Sequence, residues 1–447
     1  MDEPIISVSG LRGVIGQSLT PELALRFVGA FADELPPGAI VITRDGRSTG
    51  RMLADSVRSG LCAVGRAVID ADVAATPTTG VLVRQFHAAG GVQISASHNP
   101  PQYNGLKLFS GEGRVLSASV GQQVVHRYRN RSPRWVRHEE LGSVAVCDDS
   151  LSQHAALVLA TVDVDRIRSR RFKVLLDSNH GAGSLLGCHL LEALACEVTV
   201  IGGQPNGKFA HPPEPTEENL EGICRQITAT NADVGFCQDP DADRLAVIDE
   251  TGRYIGEECT LALCLDHVLR RRKGAVVTNC ATSRMSQDIA EKFNVPLIRT
   301  AVGEANVVDA MLRHNAVFGG EGNGGPIDPQ VVYVRDSFVG MALILDAMAA
   351  RGLRISQLAA ELPHYEIHKT KIPLEPDKIP AALESLQHNF RDATADRTDG
   401  LRLDWPDRWL LVRASNTEPI VRAIAEAQTL AAAKSLCAAA NQVLTQL

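Results

Sequence analysis

Lys173-Val174-Leu175-Leu176-Asp177, a loop carrying Gly181 and Gly183, an apolar helical stretch through Leu194, and then Val198-Thr199-Val200-Ile201 read as strand, helix and strand in one short span. Short continuous apolar runs bounded by turn residues fit buried strands, so this stretch is one strand-helix-strand unit. The same alternation extends in both directions. Upstream, Thr20 caps a helix that has Pro21 at its first position and Leu23, Phe27, Val28 and Phe31 on one face. A second helix starts near Ser48 (Leu53, Val57, Leu61, Val64) and closes at Gly65, and the strand Val92-Gln93-Ile94-Ser95 feeds a polar loop before Gly105-Leu106-Lys107-Leu108-Phe109. Downstream, a helix to about Leu269, strands at 275–279 and 296–299, a helix over 283–293 and another after Gly303 make a third round. Beyond about 366 the pattern changes to strands at 367–372, 409–413 and 420–426 and an alanine-rich terminal helix. The expected organisation is three similar α/β domains, 1–148, 149–253 and 254–365, followed by a smaller α+β domain, 366–447.

The chain has 447 residues, which at a prior of about 150 residues per domain leaves room for several cores. Charged residues at 22%, hydrophobic residues at 45% and a mean hydropathy of −0.03 place it among globular proteins. The net charge of −7 has the wrong sign for general attraction to nucleic acid or anionic lipid, so an anion must be held by local groups. No apolar run is long enough for a membrane span, and the opening residues lack the cationic and apolar pattern of a signal peptide, so the chain reads as cytoplasmic. Ten cysteines are scattered without a C-x-x-C pair, which signals neither a zinc site nor a disulfide framework. Oligomeric state is not encoded in any of these features.

Four loops carry chemistry. Asp239-Pro240-Asp241-Ala242-Asp243-Arg244 lies between an apolar stretch ending at Cys237 and the strand-like Leu245–Ile248. Three carboxylates at i, i+2 and i+4 repel one another unless a cation lies between them, and hard oxygen donors suit Mg²⁺. An EF-hand is excluded because Arg244 stands where the loop needs Gly; an aspartyl nucleophile and a plain acidic surface turn are the competing readings. In Ser95-Ala96-Ser97-His98-Asn99-Pro100 a serine leaves a strand beside a histidine, a nucleophile candidate without a G-x-S-x-G elbow. Arg413-Ala414-Ser415-Asn416-Thr417-Glu418-Pro419 with Arg422 gathers hydroxyls, backbone N–H groups and two guanidinium forks, as a phosphate needs, or else a capped turn with a salt bridge. Gly319-Gly320-Glu321-Gly322-Asn323-Gly324-Gly325 offers one carboxylate and one amide on flexible backbone, suited to vicinal sugar hydroxyls. One such loop per unit describes an enzyme that moves a phosphoryl group on a phosphosugar.

On these residues the chain resembles the α-D-phosphohexomutase family. The family's serine loop, T/S-A-S-H-N-P, matches 95–100; its metal loop, D-G-D-x-D-R, matches 239–244; its sugar loop, beginning G-E, matches 320–325; and its phosphate loop, R-x-S-x-T-E-P, matches 413–419. Gly10-Leu11-Arg12-Gly13 also agrees, and the order and spacing hold over essentially the whole length. The resemblance implies an α/β fold with mixed sheets in three domains and a TATA-binding-protein-like fourth, around a central cleft. It implies that Ser97 carries the phosphoryl group, that Asp239, Asp241 and Asp243 hold Mg²⁺ with the phosphoserine oxygen of Ser97, and that Arg244 faces the phosphoserine. Lys107 matches the family's proposed general base, and Arg12 and His98 match positions near the transferred group. Glu321 and Asn323 would read sugar hydroxyls; Arg413, Ser415, Asn416, Thr417 and Arg422 would bind the unreactive phosphate; and Arg299 and Gly303 belong to a loop facing the sugar.

The implied reaction interconverts hexose 6-phosphate and hexose 1-phosphate through a hexose bisphosphate intermediate. Pro240 stands where the family commonly has Gly, and Asn323-Gly324-Gly325 stands where many relatives have Ser-Gly-His. This version of the loop looks most like phosphoglucosamine mutases, which favours glucosamine phosphate over glucose or mannose phosphate. A phosphosugar-binding protein without turnover is the alternative from another class.

Overall fold

The computed structural model describes residues 3–7, 10–414 and 420–445. Its elements build four domains, the first two with mixed sheets and the last with an antiparallel one, and by contact the chain gathers into two compact units, residues 1–268 with 323–359, and residues 269–322 with 360–447. In the first unit the strands Ile5–Ser7, Gly10–Val14, Tyr103–Ser110, Gly90–Ile94, Ile40–Arg44, Val68–Val73 and Val144–Val146 lie side by side in that order. The four on the Ile5 side pair antiparallel, and those from Gly90–Ile94 onward pair parallel. Helices Pro21–Glu34 and Gly50–Ala63 cover this sheet with Phe27, Phe31, Leu53, Val57 and Leu61, which meet Ile40, Ile42, Val92 and Ile94 in one core. Each such fully buried side chain contributes roughly 1.5–3 kcal/mol. As expected, the Thr20 hydroxyl accepts from Leu23 N at the start of the first helix (3.3 Å).

The second sheet of this unit orders Leu245–Asp249, Val234–Gln238, Lys173–Asp177 and Glu197–Ile201. Lys173–Asp177 and Glu197–Ile201 are parallel and joined by helix Gly183–Ala193, while Val234–Gln238 and Leu245–Asp249 form an antiparallel hairpin. The glycines of the joining loop have a steric role: a Cβ on Gly181 would fall 2.4 Å from Pro240 O. Ala182 N donates to that carbonyl (2.8 Å), so the strand-helix turn buttresses the Asp239–Arg244 loop.

Helix Ser337–Arg351 also packs within the first unit. Asp336 caps it by accepting from Phe338 N and Val339 N, and its other oxygen meets His154 Nε2 at 2.7 Å, while His154 Nδ1 meets Thr78 Oγ1 at 2.9 Å. His154, Asp336 and Thr78 are completely buried, so this chain of polar atoms satisfies its own hydrogen bonds within the core.

In the second unit Leu297–Thr300, Val276–Asn279 and Phe318–Glu321 pair parallel with Val276–Asn279 central, which places three carboxyl-terminal strand ends side by side. The C-terminal domain is a five-stranded antiparallel sheet ordered Glu366–Pro373, Ile420–Ala427, Trp409–Ala414, Leu401–Asp404 and Thr394–Asp396, with helices Ile379–Asn389 and Leu430–Leu444 completing its core. Trp409, Leu411 and Ile424 instead pack on Cys280. All ten cysteines are free thiols. Among the described residues no helix is long and apolar enough to cross a membrane.

Candidate active site

Gly90–Ile94 is buried along its whole length and delivers Ser95–Pro100 at its carboxyl end, before Tyr103–Ser110 returns antiparallel. Ser97 adopts φ +48°, a left-handed conformation that a non-glycine residue holds only where its surroundings dictate it. Part of that dictation is local: Ser97 N donates to Ser95 Oγ (2.8 Å), and Ser95 Oγ donates to the buried Asp45 Oδ2 (2.7 Å). The Ser97 hydroxyl, only 3% exposed as a residue, donates to Asp239 Oδ2 at 2.7 Å and lies 3.2 Å from His98 Nδ1. Arg12, from the strand beside Tyr103–Ser110, donates to Asn99 Oδ1 (2.8 Å). Burial, reinforced by the charges of Arg244 and Arg12, lowers the His98 pKa to about 3, so the imidazole is neutral at physiological pH.

The acidic loop is the hairpin turn between Val234–Gln238 and Leu245–Asp249. Asp239, Asp241 and Asp243 are fully buried, and each offers one oxygen within 4.8 Å of the others. Asp241 Oδ2 accepts from Thr76 Oγ1 and from Lys107 Nζ, both at 2.5 Å. Asp243 Oδ2 accepts from Lys107 Nζ at 2.8 Å and Arg335 Nη2 at 2.7 Å. Asp241 Oδ1 and Asp243 Oδ1 are buried with no hydrogen-bond partner among the described residues. Orphaned carboxylate oxygens are costly in a protein interior, and hard anionic donors at this spacing fit a divalent cation. The residues present therefore suit the metal ion that the acidic pattern points to.

Electrostatics agree. Burial, then the neighbouring charges of Asp241 and Asp243, push the Asp239 carboxyl well above the ordinary range. Burial pushes Asp241 and Asp243 the same way, but Lys107 outweighs it at Asp241, and Arg335 with Lys107 at Asp243, so both stay low. Lys107 is raised in turn, because those carboxylates outweigh its own burial, and it stands here as the ammonium.

Thr76, Arg335 and Glu214 are neighbours that the sequence alone did not point to. Thr76 N also donates to Asp241 O (2.9 Å), so one residue grips both the backbone and the side chain of Asp241. Glu214, in the proline-rich 210–215 stretch that reads as an extended surface loop, has Oε1 3.7 Å from Arg244 Nη1 and 3.9 Å from His98 Nε2; Pro213 and Pro215 on either side of it are buried. Asn323 Oδ1 is buried with no hydrogen-bond partner among the described residues, and the next carbonyl, Gly324 O, accepts from Leu245 N (2.8 Å) just past the acidic loop. Gly324 has φ +79° and would place a Cβ 2.3 Å from Leu245 O, so only glycine fits there.

In the second unit Glu321 Oε1 accepts from Asn279 Nδ2 (2.7 Å) and from Gly303 N (3.1 Å), which joins two of the aligned strand ends to the start of helix Glu304–His314. Arg299, from the same loop region, is engaged elsewhere: Nη2 donates to Gln287 Oε1 and Nη1 lies 3.6 Å from Asp404 Oδ2. Arg413 Nε donates to Asp399 Oδ2 (2.9 Å), which also accepts from Val302 N (3.0 Å). Arg413 and Arg422 are directly opposed across paired strands, and like charges so placed favour an anion between them. Ser415, Asn416 and Thr417 lie outside the described residues.

Residues 5–134, 152–252, 257–365 and 370–443 match, in turn, domains I, II and III (alpha/beta/alpha) and the C-terminal domain of phosphoglucomutase/phosphomannomutase. The chain is 39% identical over 429 residues to a phosphoglucomutase/phosphomannomutase of Thermococcus kodakarensis, with 94% of each chain covered. It is 33% identical over 434 residues to a probable phosphoglucosamine mutase of Methanopyrus kandleri, covering 96% of this chain and 95% of the relative. Among solved structures, a phosphoglucomutase/phosphomannomutase family protein of Burkholderia thailandensis superposes with a TM-score of 0.85 at 26% identity, covering 99% of this chain and 98% of that one.

Proposed function

Because the chain belongs to the phosphoglucomutase/phosphomannomutase family and is a phosphohexomutase, an isomerase, we propose that it moves its phosphoryl group through Ser97 inside the acidic cluster. The observation that carries this reading is the 2.7 Å contact of Ser97 Oγ with Asp239 Oδ2, next to two carboxylate oxygens that lack partners.

Phosphorylated Ser97 donates its phosphoryl group to a free hydroxyl of a hexose monophosphate: the Oγ–P bond breaks, a bond from phosphorus to the sugar oxygen forms, and the hydroxyl proton passes to a base. The bisphosphate then returns its other phosphoryl group to Ser97 Oγ, and a proton goes to the departing sugar oxygen. Lys107 is the candidate for both transfers. Asp241 and Asp243 hold its pKa up, so as the ammonium it can give a proton to the departing sugar oxygen, and it must first lose a proton to accept one from the attacking hydroxyl. Arg244 and Arg12 lie on the phosphoserine side, and His98, neutral, donates or accepts at Ser97 without adding charge. Bound at Asp239, Asp241 and Asp243, Mg²⁺ would neutralise charge on the transferred group. Glu321 and Asn323 would bind sugar hydroxyls, with Gly303 and Arg299 in the adjoining loop, and Arg413 and Arg422, with the neighbouring Ser415, Asn416 and Thr417, the second phosphate. A cytoplasmic location is in keeping with ten free cysteines.

Glucosamine phosphate is the preferred substrate in this reading, supported by the Asn323-Gly324-Gly325 loop and by relatives named as probable phosphoglucosamine mutases. The 39% identical relative supports glucose and mannose phosphates as the second reading. Parallel kcat/KM measurements on glucosamine, glucose and mannose 6-phosphates, with a hexose bisphosphate primer and Mg²⁺, test the choice. The glucosamine substrate is expected to lead by about tenfold or more, and a lead by either other sugar overturns the preference while leaving the mutase intact.

A further inference from the structure

Arg47 is buried to 2% exposure, and its guanidinium is spent on the backbone of the loop that carries Ser97. Nη2 donates to Ser97 O and Asn99 O, both at 2.6 Å, and Nη1 donates to Pro100 O (2.8 Å) and Tyr103 O (3.1 Å). Nε donates to Asp45 Oδ2 (3.1 Å), the carboxylate that also takes the Ser95 hydroxyl. The ring of Phe209 lies 5.0 Å from Arg47 Cζ. Four carbonyls of the loop converge on one guanidinium; that of Pro100 also accepts from Tyr103 N (3.0 Å), and a buried carbonyl left without a donor is unfavourable. A planar fork with five donors meets that demand, its charge balanced by Asp45. A lysine, with one point charge on a flexible stem, cannot reach four carbonyls and a carboxylate at once.

We propose that Arg47 is a positioning residue for phosphoryl transfer: by binding the carbonyls of Ser97, Asn99, Pro100 and Tyr103 it holds Ser97 in its left-handed conformation, with Oγ directed at Asp239. The proposal rests on the reading that Ser97 carries the phosphoryl group. Among the described residues Arg47 bonds the loop and Asp45 but none of Asp239, Asp241 and Asp243, so its loss separates turnover from metal affinity.

The test compares the full-length wild type with Arg47→Lys and Arg47→Met, each checked for folding by circular dichroism. Steady-state kcat and KM, the Kd for Mn²⁺ alone by electron paramagnetic resonance, and the phosphorylation of Ser97 by a hexose 1,6-bisphosphate, read by peptide mass, are measured for each. In both variants kcat is expected to fall about 100-fold, as a misplacement near 1 Å would cause, with KM changed less than about threefold. Mn²⁺ affinity should fall far less than kcat, less than about fivefold, because Asp241 and Asp243 are held by Thr76, Lys107 and Arg335 and the cluster meets the Arg47-held loop only through Ser97 Oγ. A folded variant that keeps kcat within about threefold of wild type overturns the proposal, as does a parallel loss of kcat and Mn²⁺ affinity, which marks general disruption. If Arg47→Met does not fold, Arg47→Lys decides by the same criteria, and failure of both to fold assigns Arg47 to the fold and overturns the proposal. Wild-type enzyme that turns over without phosphate on Ser97 would instead overturn the reading on which the proposal rests.

Discussion

Ser97 and Asp239 stand 142 positions apart in the chain, and the Ser97 hydroxyl nevertheless donates a 2.7 Å hydrogen bond to Asp239 Oδ2. Two hairpins bring them together, one presenting the serine loop between Gly90–Ile94 and Tyr103–Ser110, the other presenting the acidic loop between Val234–Gln238 and Leu245–Asp249. Lys107 comes from the return strand of the first hairpin and pairs with two acids of the second. Ser97, the acidic loop and Lys107 thus share one buried polar cluster.

Stripping divalent metal with a chelator should abolish turnover, and Mg²⁺ should restore it, because Asp241 Oδ1 and Asp243 Oδ1 have no other partner among the described residues. The measurement is steady-state rate alongside elemental analysis of the treated protein. Full activity in protein shown to hold no divalent ion would count against the metal assignment.

Thr76 holds Asp241 by backbone and hydroxyl together. Partners that orient a ligand are typically worth 10–100-fold in metal affinity, so Thr76→Val should raise the Mn²⁺ Kd by about tenfold, and Thr76→Ser should keep it near wild type. Equal affinity in all three proteins would mean that Asp241 is oriented without the hydroxyl.

His154 bridges Thr78 and Asp336, all three completely buried. Phenylalanine fills a comparable volume but leaves Asp336 Oδ2 unpaired, so His154→Phe should lower stability by about 1–3 kcal/mol in urea unfolding. An unchanged midpoint would show that the buried network contributes nothing net.

These contacts also mark where the sequence is legible. The strands 173–177 and 197–201 are visible as apolar runs of strand length, and the serine and acidic loops are visible because their patterns are local: one short stretch supplies the serine beside a histidine, and another supplies three acids at alternate positions. Helix Thr76–Gln85 is not visible, since it opens with threonines, a proline and a glycine, residues of modest helix propensity, and is buried on nearly all sides by tertiary packing. Thr76 and Arg335 reach the acids only through that packing, and no spacing along the chain announces it. The partners of Arg299 are likewise set by packing: its motif places it in a loop, and the fold adds Gln287 and Asp404 beside its guanidinium. Glu214 was masked by a proline-rich stretch with the appearance of a surface loop.

His211 Nε2 lies 2.7 Å from the fully buried Asp177 Oδ2, and its pKa is raised because the hydrogen bond and charge of Asp177 outweigh burial. A folded pKa above the unfolded value of about 6.5 means that the ion pair stabilises fully below that pH and is lost as pH rises through the folded pKa. The difference in Tm between wild type and His211→Gln should therefore be largest in mildly acidic buffer and shrink as the pH is raised. A difference that grows toward alkaline pH would contradict the assignment.

The most direct test is peptide mass spectrometry of the enzyme after exposure to a hexose 1,6-bisphosphate, then after addition of excess hexose 6-phosphate with Mg²⁺. One phosphate should appear on Ser97 in the first sample and be discharged in the second, and Ser97→Ala should take up none and show no turnover. Turnover by the alanine variant, or a phosphate that is exchanged from any other residue, would contradict transfer through Ser97.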